Sequence, residues 1–419
     1  MLEPTRARLE AGVSALQVVL GLTRPADAAL KAFFRDQRQL GQHDRAFVAE
    51  LVFTVLRHLR LLKHFAGTPP TPRRLALLAL TTQFGFSVRE LSPLLARGEE
   101  TFLAQARASA ATTLPPAVRL SLPDWVYERL ARQLPSAALE TLARGLLQPA
   151  PLDLRVNTLL ARRDAVLEQL RAENIIASPT PHSPVGIRLA DKPALQRHPL
   201  FLEGKVEVQD EGSQLLAYLL APRRREMVVD FCAGAGGKTL AIGALMRSEG
   251  RVYAFDTSEK RLANLRTRLK RSGLSNVHPQ LISDEGELRV RRLAGKIDRV
   301  LVDAPCSGLG TLRRNPDLKW RQTAEAVAEM AVKQRAILEG AARLLKPGGR
   351  LVYATCSLLD EENDDVAGAF LDAHPEFRSI SCSEALRLQG IELDTGERFR
   401  VLSYFYGMDG FFAAAMERR

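Results

Sequence analysis

A chain of 419 residues with 46% hydrophobic side chains can bury a sizeable core and is too long for one ordinary domain, so two or three domains are expected. Its 59 Lys and Arg against 48 Asp and Glu leave a formal charge of +11, which favours a polyanionic partner without demanding one. The four cysteines, Cys232, Cys306, Cys356 and Cys382, form no CxxC pair and have no His cluster beside them. That pattern argues against a zinc site or a disulfide framework, so no metal is expected and reduced thiols in a cytoplasmic protein fit best. The start MLEPTRARLEAG has no apolar signal core, and no run of about 18 apolar residues occurs, so no membrane is expected either.

From Arg6 to about Leu147 the apolar residues recur at helical spacing, as in RLEAGVSALQVVLGL and RAFVAELVFTVLRHLRLLKHF, with breaks at GTPPTP and TLPP. This predicts an all-helical domain over residues 1–147. The stretch LDLRVNTLLARRDAVLEQLRAENI then reads as a short strand followed by an amphipathic helix, and VGIRLA and KVEVQD read as further strands. A small α+β linking module is expected over residues 148–222. From Glu226 onward, strand-like runs (MVVDF, RVYAFD, DRVLVDA, RLVYATC) alternate with helical patterns such as SEKRLANLRTRLKRSG. The alternation predicts an α/β, Rossmann-like, doubly wound and mostly parallel sheet over residues 223–419, with ligands beyond the carboxyl ends of its strands.

Three motifs fall at those strand ends. In VVDFCAGAGGKT a strand ending in Asp230 runs into a turn with Gly234, Gly236 and Gly237 and then a helix opening at Lys238 and Thr239. Glycines let the backbone approach a ligand and leave helix N-terminal amides free. A phosphate-binding P-loop would need glycine where Cys232 stands, and the dinucleotide fingerprint would need it where Thr239 stands. What remains is a nucleoside cofactor without a pyrophosphate, or a tight turn with no ligand. Asp256, ending RVYAFD, can accept from the two hydroxyls of a ribose or cap the helix that starts near Ser258. Asp284 in LISDEG is placed to accept from an adenine amino group.

In RVLVDAPCSGLGTLRRNPDLKW, Asp303, Pro305 and Cys306 leave a strand together, and in RLVYATCSLLDEEND Cys356 leaves another. Taken singly, each cysteine reads as a small buried hydrophobe. Taken with Asp303 and the glycine turn, they point to one pocket. Cytosine carbon 5 is a poor nucleophile, so its methylation needs a thiolate that first adds to carbon 6. It also needs a group that protonates or hydrogen-bonds ring N3, for which Asp303 is a candidate, and help in releasing the product. The basic residues Arg313, Arg314 and Lys319 read either as phosphate contacts or as a solvated basic loop.

DFCAGAGGKT, DAPCSGLGTLRRNPDLKW and YATCSLLDEEND resemble motifs I, IV and VI of the Nop2/Sun RNA (cytosine-5) methyltransferases. LRVNTL, VQDEGSQL and MDGFFAAAMER are similar to further elements of that family in the same order, so the resemblance covers most of residues 150–419. It implies a seven-stranded S-adenosylmethionine-dependent methyltransferase domain, Cys356 as nucleophile and Cys306 as the helper in product release. It further implies cofactor contacts at Cys232, Ala233, Gly234, Ala235, Gly236, Gly237, Lys238, Asp256, Asp284 and Asp303. The family usually reads CAAPGGKT where this chain has Gly234 and Ala235, a departure that bears on cofactor affinity. The helical N-terminal part resembles the NusB-like RNA-binding domain fused to bacterial members of the family, which implies 16S ribosomal RNA as substrate; a monomer is expected, though the sequence itself leaves the oligomeric state open. Transfer RNA is the rival substrate, and a non-catalytic RNA-binding assembly factor is the rival of another class. A cytidine reaching both thiol and cofactor must be single-stranded or flipped out of its stack.

Overall fold

The computed structural model describes residues 3–109 and 114–419. Met1, Leu2 and the first residue of the TLPP break lie outside them. The chain divides into two compact units, one formed by residues 1–149 with 311–324 and the other by residues 150–310 with 325–419.

The first unit is helical in its described residues. Its longest helices, Arg6–Val19 and Gln42–Arg57, pack with Pro72–Thr82 around Leu9, Leu16, Phe47, Leu51, Leu56, Leu75 and Leu78. Helix starts carry the expected caps: the Thr5 hydroxyl accepts from the Arg8 N–H at 3.3 Å, and Thr71, followed by Pro72, accepts from the Arg74 N–H at 3.2 Å. Gly12 lets two helices close, since a Cβ there would sit 2.7 Å from Leu51 Cδ2.

The segment 311–324 is built into this helical unit. Asp317 Oδ2 accepts from the Ala26 N–H at 3.2 Å, at the start of helix Ala26–Asp36. Trp320 packs on the helical core and donates its Nε1–H to Leu56 O at 2.8 Å.

The second unit holds two sheets. In the smaller, β1 (Leu152–Val156), β2 (Ala177–Pro179), β3 (Gly186–Leu189) and β4 (Val206–Val208) lie antiparallel in the order β2-β3-β1-β4, with helix Arg163–Ala172 packing Val166 and Leu170 on Leu154, Val156 and Ile187. β2 escaped the sequence reading because the three residues Ala-Ser-Pro carry no alternating pattern.

The larger sheet consists of β5 (Met227–Asp230), β6 (Arg251–Asp256), β7 (Val277–Leu281), β8 (Ile297–Asp303), β9 (Leu345–Thr355), β10 (Phe377–Ile380), β11 (Phe399–Val401) and β12 (Phe411–Arg418). Its order is β10-β12-β9-β8-β5-β6-β7, with β11 paired to β12 off this path. The five strands from β9 to β7 run parallel, whereas β10, β11 and β12 pair antiparallel. Short β11 makes the sheet eight-stranded where seven strands were expected.

Period-two alternation divides the strand residues between two cores. Val228, Val252, Ala254, Leu301 and Val352 face one layer of helices, and Val229, Phe255, Val300, Val302 and Tyr353 face the other. Helix Glu211–Leu220, in the stretch assigned from sequence to the linking module, packs Leu215, Leu216 and Leu219 into the core of the large sheet. The chain runs outward from β5 through β6 to β7 and then returns to β8 and β9 on the other side of β5. The carboxyl ends of β5 and β8 therefore flank the switch point, where α/β sheets open a crevice.

Candidate active site

The glycine turn after β5 has the geometry its residues require. Gly234 (φ 56°) and Gly236 (φ 86°) lie in the left-handed region, and a Cβ on Gly236 would meet Leu265 Cδ1 at 2.1 Å. The Gly234 N–H donates to Asp256 Oδ2 at 2.8 Å, and the Ser258 N–H donates to Asp256 Oδ1 at 2.7 Å. Asp256 thus ties the glycine turn to the end of β6, while the helix that follows is capped by Ser258, whose hydroxyl accepts from the Arg261 N–H, and not by Asp256. Asp230 is fully buried and accepts from the Thr239 hydroxyl at 2.6 Å through Oδ2, while Oδ1 is buried with no partner. Burial, opposed by the Thr239 hydrogen bond, pushes its carboxyl up to about 7.

From the adjacent helix start, Lys238 donates to Asp303 Oδ2 at 2.6 Å, and its Nζ lies 5.6 Å from the Phe411 ring centroid. Burial opposes the ammonium, but Asp303 and the charge of Cys356 outweigh it and hold Lys238 above its ordinary value. In this pair Asp303 accepts the hydrogen bond and Lys238 is the donor.

β8 and β9 are parallel neighbours, with Asp303 in register with Ala354, so the turns that leave them meet. Cys306 Sγ lies 3.3 Å from Cys356 Sγ. The hydrogen bond with Cys356, followed by burial, pushes the Cys306 thiol well up. Cys232, next to the same strand ends, is also pushed up by burial and then by the charge of Asp230. Gly310 allows the close packing behind Cys356: its N–H donates to Cys356 O at 2.8 Å, it accepts from the Gly410 N–H at 2.9 Å, and a Cβ there would meet Gly410 O at 2.2 Å. This contact explains why Gly310 and Gly410 are needed.

The structure therefore gathers Asp230, Lys238, Asp303, Cys306 and Cys356 at neighbouring strand ends. Asp284 stands apart as an exposed loop residue beyond edge strand β7, accepting from the Gly286 N–H at 2.8 Å and from the Ser283 hydroxyl at 3.0 Å. Cys382 is fully buried in the core and belongs to no site. The sequence reading missed Gln334, whose amide donates to Pro305 O at 2.8 Å, and Glu362, which lies between the two cysteine turns. The acidic run DEEND after the second cysteine was the available signal for Glu362.

Lys319 corrects an expectation. It is 2% exposed and donates to Arg57 O and Ser121 O, each at 2.7 Å, inside the helical unit, so it offers no charge to a phosphate. Burial and then the charge of Arg57 bring its ammonium down to about 7. Arg313 and Arg314 are half-buried, Arg313 donating to Pro149 O at 3.2 Å. Among the described residues no cluster of His, Cys, Asp and Glu is arranged to hold a metal ion, and no helix is long and apolar enough to cross a membrane.

A doubly wound sheet that gathers thiols and a lysine-aspartate pair at its switch point, beside a glycine turn without phosphate-loop spacing, is the architecture of a Rossmann-like methyltransferase. Residues 217–417 match the model of the 16S rRNA methyltransferase RsmB/F family, and residues 122–196 match the ferredoxin-like domain of the RsmF/B-like methyltransferases. The chain is 37% identical over 302 residues to the probable ribosomal RNA small subunit methyltransferase B of Synechocystis sp., an overlap of 71% of this chain and 67% of that one. It is 33% identical over 375 residues to ribosomal RNA small subunit methyltransferase B of Salmonella typhi, covering 81% and 85% of the two chains. A solved methyltransferase homolog from Pyrococcus horikoshii is 30% identical with a TM-score of 0.62, over 73% of this chain and 98% of that one. The chain belongs to the RsmB/F family of RNA methyltransferases.

Proposed function

We propose that the protein transfers a methyl group from S-adenosylmethionine to carbon 5 of a cytidine in 16S ribosomal RNA, through a covalent bond between Cys356 and cytosine carbon 6. The observation that carries this reading is the pair of sulfurs, Cys306 and Cys356, 3.3 Å apart at adjacent strand exits beside the Lys238–Asp303 ion pair. One cysteine suffices to pack a core; two facing each other at the switch point match a reaction that forms and then breaks a carbon–sulfur bond.

The residues around the glycine turn fit the cofactor. Gly234 and Gly236 hold the turn open by adopting a backbone that other residues rarely take, and Asp230 Oδ1 behind it is a buried polar atom with no hydrogen-bond partner in the protein. Cys232 to Lys238 would line the cofactor, with Asp256 toward its ribose, and Asp284 would meet its base only by way of the exposed loop beyond β7. S-adenosylmethionine supplies an electrophilic methyl group on a sulfonium. Cys356, as thiolate, adds to cytosine carbon 6, and the Lys238–Asp303 pair offers a hydrogen bond to the charge developing at N3. Carbon 5 takes the methyl group and loses its proton to water. The carbon–sulfur bond then breaks, with the Cys306 S–H donating to the departing sulfur. The helical unit, NusB-like by resemblance, together with Arg313 and Arg314, would contact the RNA.

The test incubates the protein, Cys356→Ala and Cys306→Ala with S-adenosylmethionine and either unmodified 16S RNA or bulk tRNA, and maps 5-methylcytosine by mass spectrometry. One new site in 16S RNA, lost in Cys356→Ala, supports the proposal. Modification of tRNA alone overturns the substrate, and unchanged activity in Cys356→Ala overturns the nucleophile.

A further inference from the structure

Glu362 is 0% exposed, an expensive place for a carboxyl group without partners. It lies at the end of the short turn Asp360–Glu362 and meets donors from both cysteine-bearing turns. Oε1 accepts from the Ser307 N–H at 2.8 Å and from the Gln334 amide at 3.1 Å, and Oε2 accepts from the hydroxyls of Ser307 and Ser357. Those serines are the residues immediately after Cys306 and Cys356, and their hydroxyls lie 3.1 Å apart. Gln334 also donates to Pro305 O at 2.8 Å, and the Tyr353 hydroxyl reaches both Gln334 and the Glu362 carbonyl. Asn363 completes the support by donating to Ser357 O at 3.2 Å.

We propose that Glu362 is a positioning residue for the two-cysteine site, clamping the turn after β8 to the turn after β9 through Ser307 and Ser357 so that the two sulfurs stay within contact of each other. The proposal rests on the two-cysteine reaction above. Without the clamp the two turns are joined by fewer bonds, and the sulfurs lose their fixed separation. The negative charge of Glu362 also acts on Cys306, adding to the larger effects of the Cys356 hydrogen bond and burial that keep Cys306 as S–H.

The test uses the full chain loaded with S-adenosylmethionine and compares wild type, Glu362→Gln and the pair Ser307→Ala with Ser357→Ala. Two quantities are read: alkylation of each cysteine by iodoacetamide, and kcat and KM with the RNA that wild type methylates. With the bonds between the two turns cut, Cys306 in both variants should be alkylated at least about threefold faster, because the turn that holds it against Cys356 opens, while Cys382 stays protected. In both variants kcat should fall at least about tenfold with KM for RNA nearly unchanged, since misplaced reacting groups tax the chemical step rather than binding. Wild-type-like alkylation and kcat in folded Glu362→Gln overturn the proposal. If Cys382 becomes reactive in Glu362→Gln, that variant has unfolded, and the serine pair decides by whether its kcat falls or holds. If wild type methylates no RNA, the reaction reading fails, and the alkylation of Cys306 still decides the clamp.

Discussion

Cys306 Sγ and Cys356 Sγ lie 3.3 Å apart although 50 residues separate them in the chain. The parallel pairing of β8 with β9 makes this meeting possible, and the division of labour between the two sulfurs is open to direct measurement. Cys306→Ala should retain methyl transfer to a first equivalent of RNA and then stall as a protein-RNA adduct, visible as a slow band on a denaturing gel. Free turnover without any adduct would remove Cys306 from the release step.

Asp230 gives a pH signature. Its folded carboxyl is raised to about 7 from an unfolded value of 3.8, so the folded state holds a proton that the unfolded state has lost between those values. The contribution to stability is full below about pH 4 and is lost as pH rises through 7. Asp230→Asn has no such titration, so its melting temperature relative to wild type should rise from pH 5 to pH 8. A difference that is flat with pH would contradict the buried, unpaired character of Oδ1.

Lys319 is predicted to matter for folding and not for RNA contact. Lys319→Met strands the carbonyls of Arg57 and Ser121, for a loss of roughly 1–3 kcal/mol in thermal or urea unfolding. The slope of RNA affinity against salt should stay that of wild type, because no phosphate contact has been removed. A slope reduced by about one unit would restore Lys319 as a phosphate ligand.

The two left-handed glycines of the turn should separate cleanly. Gly234→Ala meets no atom within 4 Å and bears only the backbone preference, about 1–2 kcal/mol. Gly236→Ala adds a contact at 2.1 Å with Leu265 and should cost clearly more and weaken cofactor binding, read by calorimetry. Equal effects would mean that the turn relaxes away from Leu265.

Much of the molecule was legible in the sequence because its signals are local. Helical periodicity marked the first unit, strand and helix alternation marked the large sheet, and the glycine turn and cysteine triplets announced themselves by spacing. β2 and β11 were missed because each is only three residues long with no clear alternating run around it, unlike the equally short β4 inside KVEVQD, and they form where a neighbouring strand offers its edge.

The sequence by itself determined which residue types stand at the strand ends, since period-two burial and turn chemistry act over a few residues. Only the tertiary structure decided which of them meet. Strand order brought Cys306 to Cys356 and Lys238 to Asp303, and it left Asp284 exposed on a loop beyond the sheet edge. Packing withdrew Lys319 into a helical core, where two carbonyls rather than a phosphate take its hydrogen bonds, and it set Glu362 between two serines. Charge patterning cannot foresee either outcome, because the free energy of a charged side chain depends on the partners that the fold supplies and not on its neighbours in the chain.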